Sequence, residues 1–196
     1  MGKDDVDKSK RRFLTVATSA VGAVGAGFVA VPFIKSMSPS ERARAAGAPV
    51  VADFGYLEPG KMHIEEWRGK PVWVLRRTPE MLATLEKTRA RLKDPDSNES
   101  EQPEYSTNNA RSIKDEYLIV IGICTHLGCS PTFRPDAGGD IGEDWLGGYL
   151  CPCHGGLYDL AGRVYQNVPP PLNLVVPPHR YLSDTRVIIG EDGGVA

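Results

Sequence analysis

Cys124-Thr125-His126-Leu127-Gly128-Cys129 and Cys151-Pro152-Cys153-His154-Gly155-Gly156 decide the reading of this 196-residue chain. All four cysteines lie in these two boxes. Each box sets a cysteine and a histidine at ligand spacing, Cys124-x-His126 and Cys151-x-x-His154. Each also holds one further cysteine, Cys129 and Cys153. Two thiolates and two imidazoles fit an iron–sulfur centre in which two histidines replace two cysteines on one iron. The competing reading is a structural zinc site, because Cys₂His₂ is a common zinc set. Zinc fingers place their histidines together on a helix. Here each loop gives one cysteine and one histidine, and a zinc site leaves two cysteines without a role.

With these motifs the chain resembles the Rieske [2Fe–2S] proteins. Over nearly its whole length it is similar to the Rieske subunits of bacterial ubiquinol–cytochrome c reductases, the cytochrome bc complexes. The resemblance implies one [2Fe–2S] cluster, with Cys124 and Cys151 on one iron and His126 and His154 on the other. It implies a disulfide between Cys129 and Cys153 that pins the two loops together. Spacing alone leaves open which cysteine of each box is the ligand. A cluster with two thiolate ligands is less negative than one with four, so histidine ligation raises its potential. By the same resemblance His154 contacts quinol, with His126 as second contact. Leu127 and Gly128 lie at a docking rim, to which Leu157 is added. The Val168-Pro169-Pro170-Pro171-Leu172 stretch is a rigid loop covering the cluster, since proline fixes φ and removes a donor. Tyr158 matches a family tyrosine that donates to a ligand cysteine, Cys151 or Cys124. Gly156 stands where many ubiquinol-oxidising relatives carry a serine that donates to a bridging sulfide. That donor is absent here, so a serine at 156 is expected to raise the potential. His63 and His179 are read as non-ligands.

The N-terminus reads as an exported anchor. Lys10-Arg11-Arg12-Phe13-Leu14 is a twin-arginine pattern ahead of an apolar run. Phe13 to Ile34 carries no charge over 22 residues, about 33 Å as a helix against a hydrocarbon core of roughly 30 Å. Cleavable signals have a shorter apolar region and a small-x-small site beyond it, so an uncleaved transmembrane anchor over 13–35 is expected. Small residues along the span suit packing against partner helices. Lys3, Lys8, Lys10, Arg11 and Arg12 precede the span, which keeps residues 1–12 in the cytoplasm and the head outside, in the periplasm. Export also permits the disulfide. Residues 36–49 are small, polar and turn-rich, and read as a hinge linker that reaches about 45–50 Å when extended.

Residues 50–196 form the head, ample for one core. The expected class is mainly β: an antiparallel β-sandwich of Rieske type, a small cluster-binding β subdomain at about 122–178, and one helix–loop insertion. Val72-Trp73-Val74-Leu75, Tyr117 to Ile121 and Thr185 to Ile189 are short β-prone runs. Pro79 to Leu92 has helical spacing through Met81, Leu82, Leu85 and Leu92, with Pro79 suited to a helix start. Asp94 to Asn109 is polar and reads as a surface loop.

Residues 1–35 carry a net +3 and the remainder −5. An acidic head argues against nucleic-acid binding. The resemblance implies an electron carrier that takes one electron from quinol beside a cytochrome b and passes it to a c-type cytochrome, with proton release. It would be one subunit of a dimeric oxidoreductase complex in the bacterial inner membrane, inactive alone. Rieske oxygenases and their ferredoxins use the same cluster, but they lack the anchor and usually the disulfide cysteines. The small Rieske subunit of another periplasmic oxidoreductase, such as arsenite oxidase, is the alternative. The proline-rich loop and long anchor favour the quinol complex.

Overall fold

The structure is a computed structural model that describes residues 7–193; Lys3 and the last three residues of the expected head lie outside them. The chain divides into two units, one ending at Ala45 and one beginning at Ala46. The first unit is dominated by helix α1, Lys8–Ser36. Asp7 caps it, its carboxylate accepting from the N–H groups of Ser9 and Lys10, which satisfies two of the donors a helix start leaves over. The helix extends beyond the expected span at both ends and takes in Arg11 and Arg12. No residue of α1 is buried. Phe13, Leu14, Val21, Phe28 and Phe33 all stand exposed. By length and composition α1 is long and apolar enough to cross a membrane. Within the expected linker, Glu41–Ala46 forms a short helix, α2.

Among the described residues the second unit has nine strands in three antiparallel sheets. Strands β1 (Val50–Asp53), β9 (Arg186–Ile189) and β8 (His179–Tyr181) make one; β2 (Met62–Trp67), β3 (Lys70–Arg76) and β4 (Tyr117–Ile121) make the second; β5 (Thr132–Arg134), β6 (Gly148–Cys151) and β7 (Gly156–Tyr158) make the third. The middle sheet explains the first. Its side chains alternate between faces, and both faces are covered. Val72, Val74, Tyr117, Ile119 and Ile121 join Phe54, Val187 and Ile189 in one core. Trp73, Leu75, Leu118 and Val120 join Tyr149, Tyr158, Leu160 and Leu174 in the other. This is why β3 and β4 read as unbroken apolar runs rather than alternating ones. The second core contains Cys124 and Cys151, so the cluster boxes grow directly out of packed structure.

One expectation needs correction and another needs refining. The helix predicted over 79–92 ends sooner: α3 spans Pro79–Thr88, with Thr78 capping Met81 N–H, and a 3₁₀ turn follows at Arg89–Arg91. Leu92 then leaves the helical stripe and packs with Trp145 and Tyr165. Segment 94–109 is a surface loop, with half of its residues exposed, but it is pinned from beneath. Asp94, Ser97, Ser100 and Ser106 are buried, and all but Ser106 join one network. Asp94 accepts from the Ser100 hydroxyl at 2.6 Å and the Asn98 N–H at 2.8 Å. Asn173, itself buried, donates to the Asp94 carbonyl and the Ser97 hydroxyl, and its N–H goes to Ser100. The few polar groups that this loop buries are tolerated because they are paired in this way.

Candidate metal centre

Both boxes fold into the same kind of turn. The N–H of Gly128 reaches back to the carbonyl of Cys124 at 3.1 Å, and that of Gly155 to the carbonyl of Cys151 at 3.0 Å. Gly128 and Gly155 have φ of +85° and +69°, the left-handed region where glycine carries no steric penalty. The two turns are joined by a disulfide between Cys129 and Cys153. Cys124 and Cys151 remain free and are buried, at 3% and 2% exposure. The sulfurs of Cys129, Cys151 and Cys153 lie within 4.8 Å of one another. Two of those three are spent on the covalent bond, so the thiols left for a metal are Cys151 and its neighbour Cys124. The rings of His126 and His154 meet edge to face with centroids 4.8 Å apart.

The residues therefore fit a [2Fe–2S] group held by two thiolates and two imidazoles. The electrostatics agree. Burial pushes the Cys151 thiol up, the backbone N–H of Cys153 pulls it down, and the adjacent Cys124 sulfur adds to the rise; the N–H of His154 is a further donor. Backbone donors aimed at a buried sulfur suit a thiolate, which a metal must generate by displacing the proton.

Tyr158 settles the choice between Cys124 and Cys151: its hydroxyl lies 3.3 Å from the Cys124 sulfur. The same oxygen accepts the N–H of Thr125 at 3.1 Å and lies 3.1 Å from the Thr125 hydroxyl. Thr125 gives its hydroxyl proton to the carbonyl of Leu172 at 2.7 Å, an acceptor with no proton of its own. The Tyr158 proton is thus left to serve the sulfur and Thr125. Thr125 and Leu172 had no role in the sequence reading. Thr125 sits inside the first box, but nothing in the sequence places the carbonyl 47 residues away against it.

The structure places the other expected site residues more closely. Leu127 is 72% exposed beside the histidines, whereas Leu157 is not at a rim: it packs against Leu92, Trp145 and Tyr165. Among the prolines, Pro170 is buried while Pro169 and Pro171 are exposed. A Cβ at Gly156 would stand 2.6 Å from Cγ of Pro170 and 3.3 Å from Cβ of Cys151. A Cβ at 156 therefore needs Pro170 to shift, so a serine there changes packing as well as adding the expected donor. His63 bonds Tyr56 at 2.7 Å, and the buried His179 bonds the Pro177 carbonyl at 2.8 Å; both stand apart from the boxes.

Layered antiparallel sheets presenting paired Cys/His loops are those of a Rieske-type electron-transfer protein. Residues 48–178 match the Rieske [2Fe-2S] domain. Residues 1–40 match the Ubiquitinol-cytochrome C reductase Fe-S subunit TAT signal. The ubiquinol-cytochrome c reductase iron-sulfur subunit of Allochromatium vinosum is 60% identical over 197 residues, covering 100% of this chain and 95% of that protein. The subunit of the same name from Bradyrhizobium diazoefficiens is 39% identical, covering 93% of this chain and 94% of its own length. A chain of a hyperthermophilic respiratory complex III aligns with a TM-score of 0.48 at 25% identity, covering 88% of this chain and 98% of that one. The chain belongs to the Rieske iron–sulfur subunits of ubiquinol–cytochrome c reductase. It is a membrane-anchored electron-transfer subunit of that oxidoreductase complex, and its cofactor is one [2Fe–2S] cluster.

Proposed function

We propose that the head carries single electrons from quinol to a c-type cytochrome on the periplasmic side of a bacterial inner membrane. Helix α1 acts as an uncleaved anchor with Arg11 and Arg12 on the cytoplasmic side. Residues 36–49 act as the hinge between two docking positions, one against a cytochrome b and one against the c-type cytochrome, within a dimeric complex. Cys124 and Cys151 hold one iron, and His126 and His154 the other. The cluster supplies a one-electron acceptor. The residues do the rest. His154 and His126, at the exposed end of the loops, take a hydrogen bond from quinol and hold the proton at a ring nitrogen. Leu127 and Gly128 offer an apolar, open surface to the partner. Pro169 and Pro171 border the covered side, with Pro170 seated on Gly156 to exclude water behind Cys151. Tyr158 donates to Cys124.

One observation carries this reading: two buried free thiols and a pair of imidazoles 4.8 Å apart stand on two turns joined by a disulfide. Metal and sulfide analysis of the purified chain tests it. The expected result is two irons and two acid-labile sulfides per chain. One zinc and no sulfide would overturn it.

A further inference from the structure

Three arginines are sealed inside the head: Arg77, Arg111 and Arg163, none more than 2% exposed. They do not share equal company. Arg163 is paired with the buried carboxylate of Asp159, Nε to Oδ2 at 2.9 Å. Asp159 also accepts from Thr88 and from the N–H groups of Ala161 and Arg163. Arg77 and Arg111 are hydrogen-bonded to neutral oxygens. Arg77 donates to the carbonyls of Asp115, Ala110 and Leu160 and to the Ser112 hydroxyl. Arg111 donates to the carbonyls of Ala161 and Gly162 and to the amide of Gln102, and its Nε has no partner. Asp159 acts on both Arg77 and Arg111 without contact, and the buried Asp94 acts more weakly on Arg111. Burial lowers Arg77 and Arg111 to about 10, so both stay cationic at neutral pH.

Their place matters more than their number. The Leu160 carbonyl held by Arg77 lies two residues beyond Tyr158, the donor to Cys124. Arg77 also acts electrostatically on Tyr149, two residues before Cys151 on β6, about 7 Å along the strand. Arg111 holds the turn that immediately follows β7. The two cations without a carboxylate partner therefore sit behind the sheet that presents the second box. Stitching carbonyls together does not demand charge, and leaving cations unpaired in a core is costly.

We infer that Arg77 and Arg111 are potential-setting residues, whose charge in the core favours the electron on the cluster over its absence. This rests on the reading that Cys124, Cys151, His126 and His154 hold that cluster. At an effective dielectric constant of about 20, a unit charge within about 25 Å changes the reduced-to-oxidised ratio at least threefold, or about 28 mV. Salt screens surface charges more than buried ones, so the effect persists at high ionic strength.

The test is a redox titration of the full complex in detergent, followed by the EPR signal of the reduced cluster, at low and high salt. Arg111→Met is expected to lower the midpoint potential by at least that amount, and Arg111→Lys to keep it near wild type. Asp159→Asn is expected to raise it. Opposite signs from opposite charges are what packing damage does not produce. If Arg111→Met does not assemble, Arg111→Gln keeps an amide donor near Ala161 and Gly162 while removing the charge, and carries the same expectation. Unshifted potentials, or shifts of one sign in all variants, would overturn the inference. Wild-type complex without a Rieske EPR signal would instead overturn the cluster assignment beneath it.

Discussion

The two cluster loops share a turn but not a means of support. In the first, Cys124 is served by side chains: Tyr158 reaches its sulfur, Thr125 braces Tyr158, and the Leu172 carbonyl braces Thr125. In the second, Cys151 is served by the backbone N–H groups of its own loop and is shut in by Pro170 over Gly156. The turn glycines 128 and 155 both face open space, and only in the second loop does the next residue, Gly156, lie against a proline ring. The first loop is therefore set by hydrogen bonds that single substitutions remove. The second is set by shape. A pair of near-identical ligand boxes can thus divide the labour of holding and tuning one cofactor.

The severest test of the likeness between the loops is to delete one imidazole from each. His126→Ala and His154→Ala are each expected to abolish the cluster, with iron falling from two per chain to near none. Iron analysis and EPR check this. A [2Fe–2S] signal surviving in either variant would mean that the loops are unequal as ligand donors.

Next in size is the bond that makes the loops one unit. The Cys129–Cys153 bridge closes 24 residues, and the chain-entropy estimate for that length is ~3 kcal/mol. Cys129→Ser is expected to lower the unfolding temperature of the loaded protein by roughly 6–12 °C for a domain of this size, without removing a ligand. Calorimetry of the complex reads it, and an unchanged transition would show that the loops hold each other without the bridge.

A gentler probe separates hydrogen bonding from shape. Gly156→Ser forces Pro170 to move and is expected to cost about 2 kcal/mol, in the range of overpacked sites. Gly128→Ala meets no atom but must hold φ near +85°, which costs roughly 1 kcal/mol. Equal losses of stability in the two variants would remove the distinction drawn between the loops.

What the sequence disclosed follows from how local each cause is. The two boxes and both turns were legible because their residues and their glycines lie within six residues. Strands β3 and β4 were legible as strands, but their burial on both faces depends on sheets drawn from distant segments. The segment after Asp94 reads as a surface loop because it is polar, and half of it is exposed. The anchoring of its buried groups depends on Asn173, which is 79 residues from Asp94 in the closing hydrogen bond. Leu157 read as a rim residue because it sits beside the second box. Strand pairing turns it toward Trp145 and Tyr165 instead. The glycine at 156 carried a tuning argument in sequence and a packing argument in space, and only the position of Pro170 tells them apart.

The smallest effect addresses the first loop alone. Tyr158→Phe removes one hydroxyl and keeps the ring in the core between the middle sheet and the third. The lost donor faces Cys124 at 3.3 Å. A ligand thiolate gains negative character when the cluster is reduced, so the donor stabilises the reduced form more than the oxidised one. Hydrogen bonds to charged groups are worth about 1.5–3 kcal/mol. Sulfur is a weak acceptor, and the Tyr158 proton is shared with the Thr125 hydroxyl at 3.1 Å, so the lower end applies. For one electron that is a fall of roughly 60 mV in midpoint potential. The substitution also strands the Thr125 N–H, which now donates to Tyr158, and a modest loss of thermal stability accompanies the shift. The second loop contributes no side-chain hydroxyl to its own sulfur, so no substitution there should reproduce this pattern of a lowered potential with iron content intact. Redox titration of Tyr158→Phe beside wild type decides it: a shift under about 20 mV, or an upward one, would mean that the first loop, like the second, is governed by shape.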